Sequence, residues 1–306
     1  MIDISKGRYW DEGIKLISGC TRISPGCKNC WSLAMEHRLG QDIIKKGVEG
    51  SFEDGTATGF QIRSERVTIH PDRLKRFSTR KPKVFAIWND LFHEGVPDSF
   101  IEKVYMSMID FSHNKYLILT KRPKRMAEWT KMNWANNCIW HGLTVCNQQE
   151  ADEKIPVFLQ VPGKKFLSIE PMLGAIDISN HLTKSVCFKC RSEDYKPVQY
   201  RGYVCANCGE IRSIEIINQI DAVILGGETG SGARPLHPDW VRSVRDQCAA
   251  AGVPFFFKQW GKWKPDPPAV LYMNRSILVD DRVMYINDKA GRELDGRTHD
   301  DLLWVK

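Results

Sequence analysis

The sequence has no long apolar segment. No run approaches the roughly 20 consecutive apolar residues that a helix needs to cross a bilayer. The first residues, MIDISKGRYWDEG, lack the apolar core of a secretory signal peptide. We therefore expect no membrane partner and a cytoplasmic location.

The short motifs of common hydrolases and nucleotide-binding enzymes are also missing. The chain contains no nucleophile elbow and no His/Asp metal motif, which disfavours a barrel hydrolase with purely structural cysteines. The stretch GGETGSG at residues 226–232 lacks the lysine spacing of a Walker loop. No internal repeat and no low-complexity tract occurs, so a repeat architecture is not expected.

The composition is that of a globular protein with a mild preference for anions. The 306 residues are 42% hydrophobic and 26% charged, enough for one barrel domain or two smaller domains. A net charge of +7 favours a phosphate-bearing substrate or nucleic acid over a neutral metabolite. The basic residues are spread along the chain, with one local concentration at Lys121, Arg122, Lys124 and Arg125.

Six short apolar runs predict buried parallel strands. The runs are KVFAIWND at 83–90, KYLILTKRP at 115–123, NCIWHGLTV at 137–145, KKFLSIEP at 164–171, DAVILGGE at 221–228 and PFFFKQWG at 254–261. Helical spacing predicts helices at 98–112 and 238–251 between them, and a first strand is possible near 15–18. This alternation indicates an α/β fold, a partial or full parallel (β/α) barrel.

Two segments interrupt the alternation, and a third follows it. Residues 45–66 are rich in Gly, Thr and charge and are interpreted as a loop. We assign residues 1–182 and 214–263 to the barrel and residues 183–213 to a zinc-ribbon-like insertion. Residues 264–306 are predicted to form a C-terminal β-hairpin appendage.

Ten cysteines in a cytoplasmic chain indicate metal ligands rather than disulfides, because seven of them are grouped. Cys20, Cys27 and Cys30 lie in the loop GCTRISPGCKNCW. Three thiolates can bind three irons of a [4Fe–4S] cube and leave the fourth iron open for a ligand. The alternative is a zinc site that borrows a fourth ligand such as His37.

The second group, Cys187, Cys190, Cys205 and Cys208, has the spacing of a zinc ribbon. Structural zinc is the first interpretation, and a second iron–sulfur site is the alternative. Polar and aromatic residues in this insertion either contact nucleic acid or form a solvated surface; they are Lys189, Arg191, Lys196, Arg201 and Tyr203.

Polar residues follow the predicted strands where barrel enzymes carry their chemistry; they are Asn89, Asp90, Lys121, Arg122, Glu170, Glu228 and Lys258. Lys121 and Arg122 are candidates for binding a substrate phosphate or carboxylate. Lys121, Glu170 and Glu228 are the candidate catalytic residues. The alternative for Glu228 is a simple ion pair with Arg234.

Several blocks of the sequence together resemble a known protein family. The blocks are GCTRISPGCKNCW, KVFAIWNDLFHEGVP, LILTKRPKRM, FLSIEPMLG, VILGGETGSGARPLHPDWVRSVRDQC and GVPFFFKQWG. In this order they resemble a family of phage and prophage gene products that are similar to radical SAM enzymes. Its members share the long first cysteine interval, and some relatives accompany phage enzymes that hypermodify thymine in DNA.

The resemblance implies a function and residue roles. Cys20, Cys27 and Cys30 match the ligands of a [4Fe–4S] cluster, and Asn89 and Asp90 match the strand end that holds the amino group of S-adenosylmethionine. It implies a radical SAM enzyme that modifies or rearranges a nucleobase in DNA or a nucleotide, with a reducing electron donor, in the host cytoplasm. A glycyl-thymine isomerase is the narrowest expectation. The alternative is a zinc-stabilised nucleic-acid-binding protein without catalysis.

Overall fold

The structure is a computed structural model that describes residues 2–32, 67–131, 134, 136–187, 189–193, 195–198, 202–210, 214–265, 276–279, 282–286, 291–302 and 304. The loop predicted at 45–66 and the candidate ligand His37 lie outside these ranges. Over the ranges given, no helix has the length and apolar character to span a membrane.

Seven parallel strands form the main sheet, which curls into a half-barrel and follows the order of the chain. The strands are β1 (Glu12–Lys15), β2 (Val84–Trp88), β3 (Lys115–Thr120), β4 (Ile139–Thr144), β5 (Lys164–Ile169), β6 (Ala222–Gly226) and β7 (Phe255–Gln259). The six predicted strands are confirmed. The first strand lies earlier than the predicted 15–18, and Ile17–Ser18 instead pairs antiparallel with Thr68–Ile69.

Within the described ranges, five α-helices accompany the sheet: α1 (Asp98–Asp110), α2 (Pro123–Thr130), α3 (Gln148–Phe158), α4 (Ser179–Leu182) and α5 (Pro238–Ala251). The helices predicted at 98–112 and 238–251 are confirmed as α1 and α5. The sequence signal for α3 is weak because Pro156 lies inside it and its first turns are polar. Its start is nevertheless well defined, because the Asn147 side chain accepts a hydrogen bond from the backbone of Glu150.

Alternate residues along each strand face opposite sides of the sheet. The convex side belongs to a large buried apolar cluster that also includes helix residues such as Val104 and Val244. The concave side carries a second, smaller cluster, to which Leu117, Trp140 and Phe166 belong. Side chains therefore fill the concave side, and the polar residues at the carboxyl ends of the strands can form a site there.

The end of the chain helps to close the concave side. The Trp304 indole donates a hydrogen bond of 2.9 Å to the carbonyl of Tyr9, and its ring lies 4.8 Å from that of Trp140. Asp300 forms an antiparallel bridge with Phe256 in β7. Residues 291–302 and 304 therefore pack on the half-barrel, although the sequence predicts an appendage there.

Over the described ranges, two small antiparallel sheets lie at the predicted insertion, and one of them uses a strand, Ile214–Asn218, that the sequence assigned to the barrel. Thr183–Cys187 pairs with Ile214–Asn218, and Tyr195–Val198 pairs with Gly202–Cys205. A three-stranded antiparallel sheet follows the barrel and includes the hairpin of Ser276–Val279 and Arg282–Ile286.

Candidate active site and metal centre

A cavity of about 490 Å³ opens at the carboxyl ends of the parallel strands. Its wall includes the apolar side chains of Leu117, Leu119 and Phe166, and the aromatic rings of Tyr9 and Trp10. The cavity lining also includes every member of the first cysteine group and of the strand-end group: Cys20, Cys27, Cys30, Asn89, Asp90, Lys121, Arg122, Glu170, Glu228 and Lys258. The fold thus brings two separately predicted sets of residues into one site.

The cysteine loop is held by local turns. A 3₁₀ turn, Pro25–Cys27, begins after Ser24, whose hydroxyl accepts a hydrogen bond of 3.1 Å from the backbone of Gly26. A Cβ added at Gly26 would lie 2.3 Å from Cys146 Sγ, so only glycine allows the loop to pack this closely. Cys146 therefore lies behind the loop rather than among the cavity-lining thiols.

The three thiols of this loop do not gather around a single point. Over the described ranges, Cys20, Cys27 and Cys30 do not form a group whose ligand atoms all lie within 4.8 Å of one another. Thiolates on one zinc ion lie about 3.8 Å apart, given tetrahedral Zn–S bonds of about 2.3 Å. As placed, these three thiols do not form the compact set that a single zinc ion requires.

Arg122 holds one side of the cysteine loop from a buried position. Its guanidinium bonds Asp90 at 2.8 Å and Thr21 Oγ1 at 2.7 Å, and it lies 3.9 Å from Cys20 Sγ. Glu94 accepts its Nε–H at 2.8 Å. Arg122 is only 6% exposed, so these contacts form largely away from water.

Asp90 is fully engaged by donors of the protein. Its carboxylate accepts hydrogen bonds from the Thr120 hydroxyl at 2.6 Å and the Arg122 guanidinium at 2.8 Å. The backbone amides of Phe92 and Lys121 donate to it as well. These four donors make Asp90 a support for Arg122. The predicted role of binding a cofactor ammonium would require one of them to be replaced.

The surroundings of Cys20 favour its neutral thiol when no metal is bound. Burial raises the pKa of Cys20 to about 11, and the charge of Asp90 adds to this effect while Arg122 opposes it. Burial, together with the charge of Arg122, lowers the pKa of the nearby His93. A bound cation would have to displace the proton of the thiol.

Glu228 holds the other side of the cysteine loop. Its carboxylate accepts hydrogen bonds from Asn29 at 2.9 Å and from the Arg234 guanidinium at 2.6 Å. Arg234 also donates to the carbonyl of Pro25 at 3.0 Å. Burial tends to raise the pKa of Glu228, but the hydrogen bonds from Arg234 and Asn29 lower it on balance. The expected pairing with Arg234 is present, and through Asn29 it also reaches the segment between Cys27 and Cys30.

Glu170 pairs with Lys258 across the cavity at 2.9 Å. The Lys258 ammonium also lies 5.8 Å from the ring centre of Tyr9 and 5.6 Å from that of Trp10. A Cβ added at Gly226 would lie 2.7 Å from Glu170 Oε1, so this glycine leaves the room that the carboxylate occupies. Burial, with the charge of Glu170 as a second cause, raises the pKa of Tyr9.

Asn89 has a strained backbone at the end of β2. Its φ of 65° lies in the left-handed region, which is uncommon for a residue other than glycine. Its side chain accepts a hydrogen bond from Ser32 and donates one of 2.8 Å to the carbonyl of Ile17. Asn89 therefore connects β2 to both ends of the segment that carries the cysteines. Strain of this kind is concentrated at functional sites.

The second cysteine group forms a compact set of four thiols. The ligand atoms of Cys187, Cys190, Cys205 and Cys208 all lie within 4.8 Å of one another. The Sγ atoms of Cys187 and Cys208 are 3.6 Å apart, and those of Cys190 and Cys205 are 3.5 Å apart. These distances are close to the separation of about 3.8 Å expected around tetrahedral zinc. The group could bind a metal ion such as zinc.

The two halves of this group have the same backbone geometry. The amide of Arg191 donates to the carbonyl of Cys187 at 2.8 Å, and that of Gly209 donates to the carbonyl of Cys205 at 2.9 Å. Arg191 and Gly209 both have positive φ, at 62° and 72°. Each is the fourth residue after the first cysteine of its pair, so the chain forms two matching turns around one centre.

Several residues of the cavity were not predicted from the sequence. Tyr9 and Trp10 carry no motif, and only the path of the chain places them here. Thr21 and Asn29 lie in the predicted ligand loop GCTRISPGCKNCW, and this position was the sequence signal for their place in the site.

Comparison with known proteins identifies the family. Its sequence model matches residues 5–303, so the chain belongs to the family described as "Protein of unknown function (DUF5131)". Neither the curated proteins nor the solved structures contain a match.

Proposed function

We propose that the chain is a radical SAM enzyme that modifies or rearranges a nucleobase in DNA or a nucleotide. One observation carries the proposal. Three cysteines from one loop line the same cavity as the polar strand ends of a parallel half-barrel, at the end where such folds bind ligands. The resemblance of this loop to that of radical SAM-like proteins favours an iron–sulfur cluster over zinc there.

The chain's own residues would hold and shield the reacting groups. Cys20, Cys27 and Cys30 would bind a [4Fe–4S] cluster, which with S-adenosylmethionine supplies a 5′-deoxyadenosyl radical for hydrogen abstraction. Arg122 and Arg234 fix the two sides of the cysteine loop. These two contacts would keep the loop in place when it binds the cluster.

The remaining residues would receive the other ligands. Asn89 stands at the strand end that the resemblance assigns to the methionyl group, and Glu170 and Lys258 offer an acceptor and a donor in the cavity. Aromatic rings along the wall suit a flat base. The narrower proposal, an isomerase in thymine hypermodification, depends on the family resemblance alone.

Zinc would have a separate, structural role in this proposal. Four thiolates close the coordination of a zinc ion and leave no position for a substrate. The two matching turns around Cys187 and Cys205 support this assignment.

Metal analysis of matched cysteine variants tests the proposal. Iron, sulfide and zinc are measured after anaerobic reconstitution of the wild type, of Cys20→Ala/Cys27→Ala/Cys30→Ala, and of Cys187→Ser/Cys205→Ser. Dithionite then stands in for the electron donor, and 5′-deoxyadenosine is measured after addition of S-adenosylmethionine. Cys248→Ala, which changes a buried thiol of the apolar core, is the control.

We expect about four irons and one zinc per wild-type chain. The triple variant should lose iron and nucleoside formation but keep zinc, and the Cys187/Cys205 variant should lose zinc. A wild-type protein with zinc at both cysteine groups and no iron would refute the enzyme and favour the nucleic-acid-binding alternative.

A further inference from the structure

The carboxylates that line the cavity are each neutralised by a cation of the protein. The pairs are Asp90 with Arg122 at 2.8 Å, Glu170 with Lys258 at 2.9 Å and Glu228 with Arg234 at 2.6 Å. A ligand therefore meets three compensated pairs rather than a field of one sign. Any charge left over would select the charge of the ligand.

Among the described residues that line the cavity, Lys121 is the charged side chain outside these three pairs. It lines the cavity and is partly buried, and within the described part of the chain it forms no ion pair. Its backbone amide donates to Asp90, whose carboxylate pairs with Arg122, a guanidinium that also pairs with Glu94 outside the cavity lining. Partial burial of an uncompensated ammonium is unfavourable, so an anion that enters the cavity gains from meeting it.

Arg122 differs from Lys121 although the two are neighbours in the sequence. The guanidinium donates to Asp90, Glu94 and Thr21, and these contacts take up its Nε–H and both terminal nitrogens. It is thus engaged in holding the cysteine loop. Of the two predicted anion-binding residues, Lys121 is the one without such an engagement.

A second polar group without a partner lies beside Lys121. Thr120 of β3 pairs in register with Leu143 of β4, so Lys121 and Thr144 follow at the same level of adjacent strands. Thr144 also lines the cavity and is only 1% exposed. Among the described residues, its hydroxyl has no hydrogen-bond partner, which is costly for a buried polar group.

We propose that Lys121 and Thr144 form an anion-binding subsite for a phosphate or carboxylate carried by the molecule in the cavity. An ammonium and a hydroxyl on adjacent strands provide charge and a hydrogen bond to such a group. Leu119 and Phe166 also line the cavity, so the rest of the ligand meets apolar wall. This inference rests on the proposed function only in the choice of probes.

Binding of paired probes to the full chain tests the subsite. Isothermal calorimetry compares thymidine 5′-monophosphate with thymidine, and S-adenosylmethionine with its decarboxylated analogue. The variants are Lys121→Gln, Lys121→Arg and Thr144→Val. Lys124→Gln is the matched control, because it removes the same charge from an exposed residue outside the cavity.

Lys121→Gln should weaken one anionic probe at least about tenfold, the effect of losing a hydrogen bond to a charged group. Its uncharged counterpart should change by less than about twofold, as should every probe with Lys124→Gln. Lys121→Arg should restore part of the loss, and Thr144→Val should weaken the same probe as Lys121→Gln.

The pair of probes that responds identifies the source of the anion. A response of the thymidine pair assigns the subsite to a substrate phosphate, and a response of the other pair assigns it to the cofactor carboxylate. Equal binding by wild type and Lys121→Gln, or no binding of any probe by wild type, overturns the inference. The thymidine pair needs no iron, so its result does not depend on the iron and 5′-deoxyadenosine measurements.

Discussion

At the scale of single residues, the ion pair of Arg122 and Asp90 shows how much a buried charge depends on its counterion. The side chains of Arg122 and Asp90 are 5% and 8% exposed, so each charge relies on the other for compensation. The same guanidinium reaches Thr21 and lies close to Cys20. Loss of this residue should therefore affect both the stability of the fold and the order of the cysteine loop.

Arg122→Met should lower the free energy of unfolding by about 3–5 kcal/mol, because it leaves the Asp90 carboxylate buried without a counterion. Urea denaturation followed by circular dichroism measures the change. The double variant Arg122→Met/Asp90→Asn should lose less than the single variant, because no uncompensated charge is left. Lys124→Met, at an exposed position, should change stability by less than about 0.5 kcal/mol. An equal loss in the single and double variants would contradict the ion-pair explanation.

At the scale of elements, the concave face depends on a fit between neighbouring strands. Gly142 of β4 pairs in register with Phe166 of β5, and a Cβ added at Gly142 would lie 2.2 Å from the Phe166 ring. The ring therefore occupies the space that the glycine leaves. A small residue on one strand and a large one on the next form this layer below the polar strand ends.

Gly142→Ala should destabilise the fold by about 1–3 kcal/mol through overpacking against the ring. Thermal or chemical unfolding of the variant measures this loss. Phe166→Leu in the same chain should recover part of it, because the smaller side chain makes room for the new methyl group. Gly174→Ala is the control, since nothing lies within 4 Å of a Cβ there. If Phe166→Leu adds to the loss instead, the strands do not fit as described.

At the scale of the whole molecule, residues from early and late in the sequence meet inside the half-barrel. Trp304 is 4% exposed and contacts the rings of Trp140 and Phe166, while its indole bonds to Tyr9. Tyr9 in turn lines the cavity and contacts Phe256 of β7. Trp304 therefore packs behind Tyr9 and so supports the wall of the cavity.

Trp304→Ala should cost about 3–5 kcal/mol, as expected for the removal of a large buried aromatic side chain. It should also loosen the first residues of the chain, because the hydrogen bond to Tyr9 is lost. Hydrogen exchange of residues 9–16 and denaturant unfolding measure the two effects. Trp31→Ala, at a position 53% exposed, serves as the control for stability. Unchanged exchange in residues 9–16 would show that the chain ends are not coupled.

The sequence alone predicted most strands of the sheet and the residues of the candidate site. Apolar runs of strand length predicted six of the seven strands, because burial on both faces leaves a continuous apolar signal. The spacing of the cysteines distinguished a three-thiol loop from a four-thiol group, because two ligands of one metal that are close in sequence must lie on the same tight turn. The polar residues at the strand ends could be named because parallel strands end at the same edge of a sheet.

Only the tertiary structure decided which contacts, and so which role, each of these residues has. Lys121 and Arg122 are adjacent in sequence, yet Arg122 is engaged by Asp90 and Thr21 while Lys121 faces the cavity without an ion pair within the described ranges. Tyr9 and Trp304 carry no motif and meet only because the chain returns to its start. Such pairings depend on distances between residues far apart in the sequence, and no local pattern of residue types records those distances.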